Sequence, residues 1–558
     1  MTFLDAIVVL AYLLGIAVIG VYQSVRVRSS GDYFAGGRKF SRWLMVMHAL
    51  GTGTHADDPV GVAGAAKQHG IAGIWYTYVY LFATPFYWIM APFFRRSRYI
   101  TTADFFRDRF SPGLAVLYTI MGMLTFAVNT GTLLRGTGTI VTSVTQDRVP
   151  EWLGIGAMTV VFVAYGLAGG LVATVVTESI QGVLIVVMSL LLIPFGLARV
   201  GGFGALHQLL DPSRFSLAAT EEVTWQWAAG CTVAMIIGIV AQPHIMEVCS
   251  TGKTEFEGRV GFTYGNFVKR FCAMGWAFTG LIVTAMVAAG MLPELGQRED
   301  AFGVAIRELL PSGVTGLMFA AILAAQMSTL SAFMVAGSAL FSRNIYREYF
   351  RRDATDAQVL AIGRWAGLIV VLLGVMMAAV VRSVADALTI FWGLATLTGL
   401  FMWAGVLWRR TNAAGAWASF IVMALIWLAL GKGGQLAATA LGDAAPTWLG
   451  LYADRGHMHR LLIAYLLPGT VVLVAVSLLT RPKPQAELDR FHTLIRTPVG
   501  REEELEKAGI EAVYAGASEG HPWELNHPKL VNWAGFGLAL AFCFVILAIL
   551  WGLTRIGA

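Results

Sequence analysis

The sequence predicts an all-α polytopic membrane protein with about fourteen transmembrane helices. Hydrophobic residues make up 57% of its 558 residues and charged residues 13%, whereas a soluble domain is about 25% charged. Apolar runs of spanning length recur from one end of the chain to the other. The chain lacks the short segments of alternating polarity that are typical of a membrane β-barrel. The predicted fold class is therefore helical.

The apolar runs divide the chain into spans and loops. The first run, from Phe3 to Val21, has neither a basic segment before it nor a small-residue cleavage site, which predicts a retained helix rather than a signal peptide. The other spans are predicted to begin near residues 43, 72, 113, 152, 173, 226, 267, 312, 358, 386, 412, 459 and 531. The predicted units outside the transport core are a first helix with its loop (1–42), additional helices (411–480), a cytoplasmic loop (481–530) and a last helix (531–558).

Basic residues cluster after every second span, apart from the short turn after the fifth. One cluster, after the seventh span, contains Lys253, Arg259, Lys269 and Arg270. The positive-inside rule places these loops in the cytoplasm and both termini outside, which predicts a multi-pass protein of the plasma (inner) membrane. Because the basic residues are divided among loops, the net charge of +6 does not indicate a nucleic-acid partner.

A polar seam interrupts the apolar ninth span. Ala325, Ser328 and Thr329 follow the i, i+3, i+4 spacing, so they lie on one helix face. One carbonyl and two hydroxyls at this spacing form half of an oxygen cage for a small hard cation such as Na⁺. Helix packing by small residues is the alternative interpretation of the same seam.

The second span is broken by a polar stretch. It contains Gly51, Thr54, His55, Asp57 and Asp58, and Pro59 follows them. Unwound backbone at membrane depth is tolerated where it lines a cavity or binds an ion, so the carbonyls near Gly51 and Thr54 are candidates for the other half of the Na⁺ cage. Interrupted helices of this kind mark binding sites in secondary transporters. The alternative is an ordinary Gly/Pro kink.

Five further polar residues fall within predicted spans: Asn129, Arg135, Glu178, Gln242 and His244. Gln242 and His244 flank Pro243 and are predicted to line a cavity. Glu178 is interpreted as a cation ligand, a proton acceptor or one partner of a structural pair. Arg135 either clamps a substrate carboxylate or extends to the outer surface.

Six motifs, in order along nearly the whole chain, resemble the sodium/solute symporter family, and AQPHI resembles its sodium/proline branch. The motifs are GDYFAGGR (Gly31 to Arg38), TADFFRDRF (Thr102 to Phe110), GGLVATVVTESIQG (Gly169 to Gly182), AQPHI (Ala241 to Ile245), MSTLS (Met327 to Ser331) and GVLWRRTNAAGA (Gly405 to Ala416).

The resemblance implies a leucine-transporter-type core of two inverted five-helix repeats, spanning residues 43–410. It implies a sodium site on Gly51, Thr54, Ala325, Ser328 and Thr329. A second cation site in some members matches Glu178, Ser328 and Ser331 here, but the next residue is Ala332. One Na⁺ per cycle is therefore the expectation.

The predicted function is Na⁺-driven uptake of a small organic solute by alternating access. His55, Asp57, Asp58, Asn129, Arg135, Gln242 and His244 are the predicted substrate residues. The aspartates favour an amine and Arg135 a carboxylate, so an amino acid or another zwitterion or carboxylate is the expected class. A proton-coupled carrier and a non-transporting sensor of the same fold remain alternatives. No nucleophile with a paired base is identifiable, so the sequence does not predict an enzyme; the oligomeric state stays open.

Overall fold

The computed structural model describes residues 1–24, 36–219, 221–380, 383–514 and 519–558. Within these ranges the chain is helical, and the only β-type pairing is an isolated bridge between Phe40 and Gly252. Residues 31–35 of the predicted GDYFAGGR motif lie outside the described residues.

The described α-helices are α1 (Phe3–Ser24), α2 (Arg42–Gly53), α3 (Asp57–His69), α4 (Trp75–Tyr78), α5 (Thr84–Arg96), α6 (Thr102–Arg109), α7 (Pro112–Thr145), α8 (Glu151–Val200), α9 (Phe203–Leu209), α10 (Trp225–Gly238), α11 (Pro243–Ser250), α12 (Glu255–Ala288), α13 (Ala301–Leu309), α14 (Val314–Phe341), α15 (Asp356–Val380), α16 (Val384–Leu407), α17 (Ala413–Leu430), α18 (Lys432–Leu441), α19 (Met458–Leu479), α20 (Gln485–Arg496), α21 (Glu502–Lys507), α22 (Pro522–Asn526) and α23 (Pro528–Leu553).

In the described part of the chain, nine helices are long and apolar enough to cross a membrane, and α10 with α11 adds a tenth span that is bent by 62°. The remaining predicted spans correspond to α1, to α2 with α3, to α4 with α5, and to the first part of α8. In two of these segments the described apolar stretches, Phe3–Ile16 and Glu151–Ala164, are shorter than a span, so the count of fourteen stays a prediction.

Helix α8 covers both the fifth and the sixth predicted spans. A straight helix of its 50 residues would be about 75 Å long, more than twice the thickness of a hydrocarbon core. Gly154 packs against Val141 near the end of α7, and Gly196 packs against Leu309 of α13, which lies beside the same end of α7. We therefore interpret α8 as two crossings that return to one face.

Two interrupted helices position the candidate site. Between α2 and α3, Thr54 leaves the helical conformation with φ −133° and ψ 117°. Between α10 and α11, Gln242 is extended because the residue before a proline is disfavoured in the α conformation. Helices α12 and α14 pack against the first break, which brings the polar seam of α14 to it.

The predicted loop 481–530 is folded onto the helical bundle. Its three helices are α20, α21 and α22, and the Phe491 ring of α20 packs edge-on to Phe105, with ring centroids 5.5 Å apart. We refer to residues 481–530 as the 481–530 segment below.

Candidate binding cavity and ion site

A cavity of about 90 Å³ lies between the two breaks. Six of the seven predicted substrate residues line it: His55, Asp57, Asp58, Asn129, Gln242 and His244. Its aromatic walls, which sequence reasoning did not identify, include Tyr76, Tyr80, Tyr87, Phe262, Phe333, Phe391 and Trp392. Their apolar periodicity is that of any buried helix face, so no local signal distinguished them from core residues.

The five predicted sodium-site residues are brought together by the packing of α14 on the first break. The Thr329 hydroxyl donates to the carbonyl oxygen of Gly51 across the two helices, at 3.2 Å. It also lies 3.2 Å from the Ala325 carbonyl, and the Ser328 hydroxyl donates to that same carbonyl at 2.9 Å. The Thr54 hydroxyl is buried and has no hydrogen-bond partner in the part of the chain that the structure describes. This all-oxygen set fits a hard cation.

Gln326, which sequence reasoning missed, holds the break in place. Its side-chain carbonyl accepts a hydrogen bond from the backbone N–H of Ala56 at 2.9 Å, and its amide donates to the Leu133 carbonyl. One side chain of α14 therefore ties the broken helix to α7. The prediction of the seam considered only hydroxyls and the Ala325 carbonyl, so it left out Gln326, although Gln326 lies three positions before Thr329.

Glu178, the candidate second cation ligand, already has protein partners. Its Oε2 lies 2.5 Å from Nδ1 of His48, and its Oε1 accepts a hydrogen bond from Thr52 at 3.1 Å. Both His48 and Glu178 are fully buried. The geometry favours the structural pair among the three roles predicted for Glu178, while the buried Ser331 hydroxyl has no hydrogen-bond partner.

The two aspartates of the break contact basic side chains of the protein. Asp57 pairs with His55, and Oδ2 of Asp58 lies 2.8 Å from Nζ of Lys269. Oδ2 of Asp58 also lies 3.5 Å from Nδ1 of His55. Lys269 in addition donates to the Gly53 carbonyl. The negative charge of Asp58, which was expected to select a substrate amine, is thus compensated by Lys269, while Asp57 contacts an imidazole.

Lys269 and Arg270 line the cavity, which corrects their predicted place in a cytoplasmic loop. They belong to α12, a helix of 34 residues that is longer than a bilayer core requires. Lys269 lies about 21 Å along its axis from the first residue. The positive-inside rule assigned these two residues to a loop because the span was predicted to begin near residue 267, whereas α12 begins at Glu255.

Arg135 is not brought to the cavity lining. Its Nη1 lies 2.7 Å from Oε1 of Glu151, and both side chains are partly exposed. The neighbouring Gly136 packs against the Asp57 backbone instead. The prediction that Arg135 clamps a substrate carboxylate therefore does not fit this geometry, because the guanidinium is already paired with Glu151, the first residue of α8.

The chain is similar to known membrane transporters over most of its length. A family model described as the sodium:solute symporter family matches residues 33–422. The osmoregulated proline transporter OpuE of Bacillus subtilis is 26% identical over 450 residues, which cover 75% of this chain and 88% of that protein. The high-affinity proline transporter PutP of the same organism is 26% identical over 504 residues, covering 85% and 98%. The predicted resemblance to the proline branch is confirmed.

A solved structure extends this likeness to the fold. The structure of a Na⁺-coupled sialic acid symporter in a substrate-bound outward-open state has a TM-score of 0.70 and 18% sequence identity, and the match covers 87% of this chain and 99% of that one. This likeness confirms the helical transporter fold that the motifs predict. The boundaries 43–410 of the repeat core stay a prediction.

Proposed function

The chain belongs to the sodium:solute symporter family, and on that premise we propose that it couples inward Na⁺ flow to the uptake of a small organic solute. The relatives reported above are named as transporters, and the helices place this chain in a membrane. The observation that carries the proposal is the contact between Thr329 and the Gly51 carbonyl. It joins the broken helix to α14 through oxygen atoms only.

In the proposed mechanism, Na⁺ binds between the first break and α14. Carbonyl oxygens of Gly51 and Ala325 and the hydroxyls of Thr54, Ser328 and Thr329 are its proposed ligands. Bound Na⁺ draws the two helices together and thereby orders His55, Asp57 and Asp58 at the cavity, so that ion and solute favour each other's binding. Movement of the interrupted helices against the remaining bundle then exposes the cavity to the other side.

The membrane potential supplies part of the driving force. One positive charge moving inward gains about 2.3 kcal/mol per 100 mV. The proposed stoichiometry is one Na⁺ per cycle. His48 and Thr52 already form hydrogen bonds with the carboxylate of Glu178, the candidate ligand of a second cation. We propose a plasma-membrane location with both termini outside, as the basic loops predict.

Uptake into proteoliposomes tests this function. A pooled set of labelled amino acids, carboxylates and sugars is offered with an inward Na⁺ gradient and, separately, with choline in place of Na⁺ at fixed pH. We expect accumulation of one class with Na⁺ only. Accumulation that persists in choline and follows a proton gradient would instead establish the proton-coupled alternative, and no accumulation of any class would favour a sensor.

Truncation of the ion site sharpens the test. We expect Ser328→Ala to raise the Na⁺ concentration for half-maximal uptake about tenfold, since a lost interaction with a charged group costs about 1.5 kcal/mol or more. The matched control is Ser338→Ala, because the buried Ser338 hydroxyl also donates to a carbonyl of its own helix, that of Val335, at 2.7 Å. Equal Na⁺ dependence of the two variants would contradict the assignment.

A further inference from the structure

Arg270 is a buried cation without a carboxylate partner. Its exposed fraction is 2%, and its Nε and Nη1 have no hydrogen-bond partner among the described residues. No Asp or Glu of the described chain lies within 4.0 Å of its guanidinium. A guanidinium cannot lose its proton in a protein, and a buried, uncompensated charge is strongly destabilising. The cavity therefore contains an unmet demand for an anion.

The other charges of the cavity do not meet this demand. Asp58 is held by Lys269 at 2.8 Å, and Asp57 is held by His55. Asp58 therefore has a nearer cation in Lys269, and the carboxylate of Asp57 already contacts the His55 ring. The unpaired N–H donors of Arg270 suit an anionic group of the substrate, whereas both carboxylates that could bind an amine already have a protein partner.

The Arg270 side chain lies against an aromatic ring of the cavity wall. Its guanidinium lies over the Tyr80 ring, 5.7 Å from the ring centroid, and the Tyr78 hydroxyl donates to the backbone carbonyl of Arg270 at 3.1 Å. A guanidinium offers parallel N–H donors that match the two oxygens of a carboxylate. Lysine would supply the charge without this geometry.

The remaining walls describe the rest of the substrate. Phe333, Phe391 and Trp392 face the cavity from α14 and α16. The volume of about 90 Å³ is several times the space that one water molecule needs. A cavity with these aromatic walls accommodates a ligand whose remaining part is small and either apolar or flat.

We infer that Arg270 binds the carboxylate of a small organic monoanion with an apolar or aromatic body, and that a substrate amine is not required. This inference rests on the proposed function and gives its substrate class. It moves the carboxylate-binding role from Arg135 to Arg270.

Binding to the full-length protein in detergent tests the inference through the shift in its thermal unfolding midpoint. The probes are acetate, cyclopentanecarboxylate and benzoate, each compared with its primary amide, together with cyclopentylamine and the zwitterion 1-aminocyclopentanecarboxylate. Every probe is measured in sodium chloride and in choline chloride. We expect at least one of the carboxylates to stabilise the wild-type protein, and neither the amides nor the amine to do so. The zwitterion is expected to gain nothing from its amine.

The variants are Arg270→Gln, Arg270→Lys and the matched control Arg135→Gln. We expect Arg270→Gln to weaken carboxylate binding by about ten- to hundredfold, Arg270→Lys to retain part of it, and Arg135→Gln to leave it unchanged. If Arg270→Gln does not fold, the Lys variant and the acid–amide comparison on the wild type still decide the question.

Several outcomes would overturn the inference: amides that bind as well as acids, the amine or zwitterion binding more tightly than the carboxylate, loss of binding in the Arg135 variant only, or no binding of any carboxylate to the wild type. Carboxylate binding that needs Arg270 but is equal in sodium and choline would support the inference while refuting Na⁺ coupling. The two proposals therefore fail separately.

Discussion

The buried arginines that hold the 481–530 segment differ from the buried arginine of the cavity. Arg98 donates to the Thr497 and Pro498 carbonyls at 3.0 and 3.1 Å and pairs with Glu502 at 2.9 Å. Nη2 of Arg259 lies 3.0 Å from Glu524, and its Nη1 donates to the Trp88 carbonyl at 2.5 Å. Among the described residues, the Nε and Nη1 of Arg270 have no hydrogen-bond partner.

This difference separates structural charges from a charge that awaits a ligand. All three side chains are almost completely buried, so burial alone does not distinguish them. A structural arginine has its desolvation offset by carbonyls and carboxylates of the chain. A buried arginine that lacks such carbonyl and carboxylate partners is stabilised when a ligand supplies them, and it therefore marks a binding site. Three predictions test this distinction, and the first has the largest expected effect.

Breaking the Arg259–Glu524 pair should be strongly destabilising. We expect Arg259→Met to lower the free energy of unfolding by about 3–5 kcal/mol, because it removes the nearer cation of the buried Glu524 and leaves only Arg96, whose Nη2 lies 3.6 Å from the carboxylate. Denaturant titration in detergent measures this effect. The double variant Arg259→Met with Glu524→Met should recover most of the loss. The control is Lys507→Met, since Lys507 and Glu503 lie 3.9 Å apart with exposed side chains and should contribute nothing measurable. A loss equal to that of the control would refute the structural role of Arg259.

The Asp58–Lys269 pair of the cavity should show a smaller coupling. Both side chains are about one-tenth exposed, so water lowers the cost of leaving either one alone. In a double-mutant cycle of Asp58→Asn and Lys269→Met, we expect a coupling energy of about 1–3 kcal/mol. Additive effects of the two substitutions would mean that Asp58 is free, and the amine-binding role predicted from the sequence would then return.

Glu222, which accepts a hydrogen bond from the cavity residue Tyr76, offers a test by pH. Burial alone raises the pKa of Glu222, but hydrogen bonds from His69 and Tyr76 outweigh it and lower the pKa from 4.5 to about 2. Because the folded value is the lower one, this carboxylate stabilises the fold fully above pH 4.5 and progressively less as the pH falls through about 2. We expect the thermal midpoint to fall on acidification from about pH 6 to about pH 3, and Glu222→Gln to reduce that slope. An unchanged slope in the variant would assign the acid sensitivity to other groups.

Much of the membrane architecture follows from local sequence. Apolar runs predict the long helices because their length must match the bilayer. The break near Thr54 is predicted because glycines and charged residues cannot continue a lipid-facing helix. The grouping of Ser328 and Thr329 with Ala325 follows from helical spacing alone. Motif order also predicted the family that the comparisons confirm.

The pairing of charges was decided by tertiary structure. From the sequence, Arg135 and Arg270 are both basic residues in or near apolar runs, and no spacing rule distinguishes them. Only the packing of the helices places Glu151 beside Arg135 and leaves Arg270 at the cavity. The same holds for His48, which reaches Glu178 from α2. The sequence by itself predicted which segments form long apolar helices, where two of them break and which oxygens share a face. The contacts between helices distant in the chain determined which charges are compensated, because Coulomb energy depends on separation in space rather than along the chain.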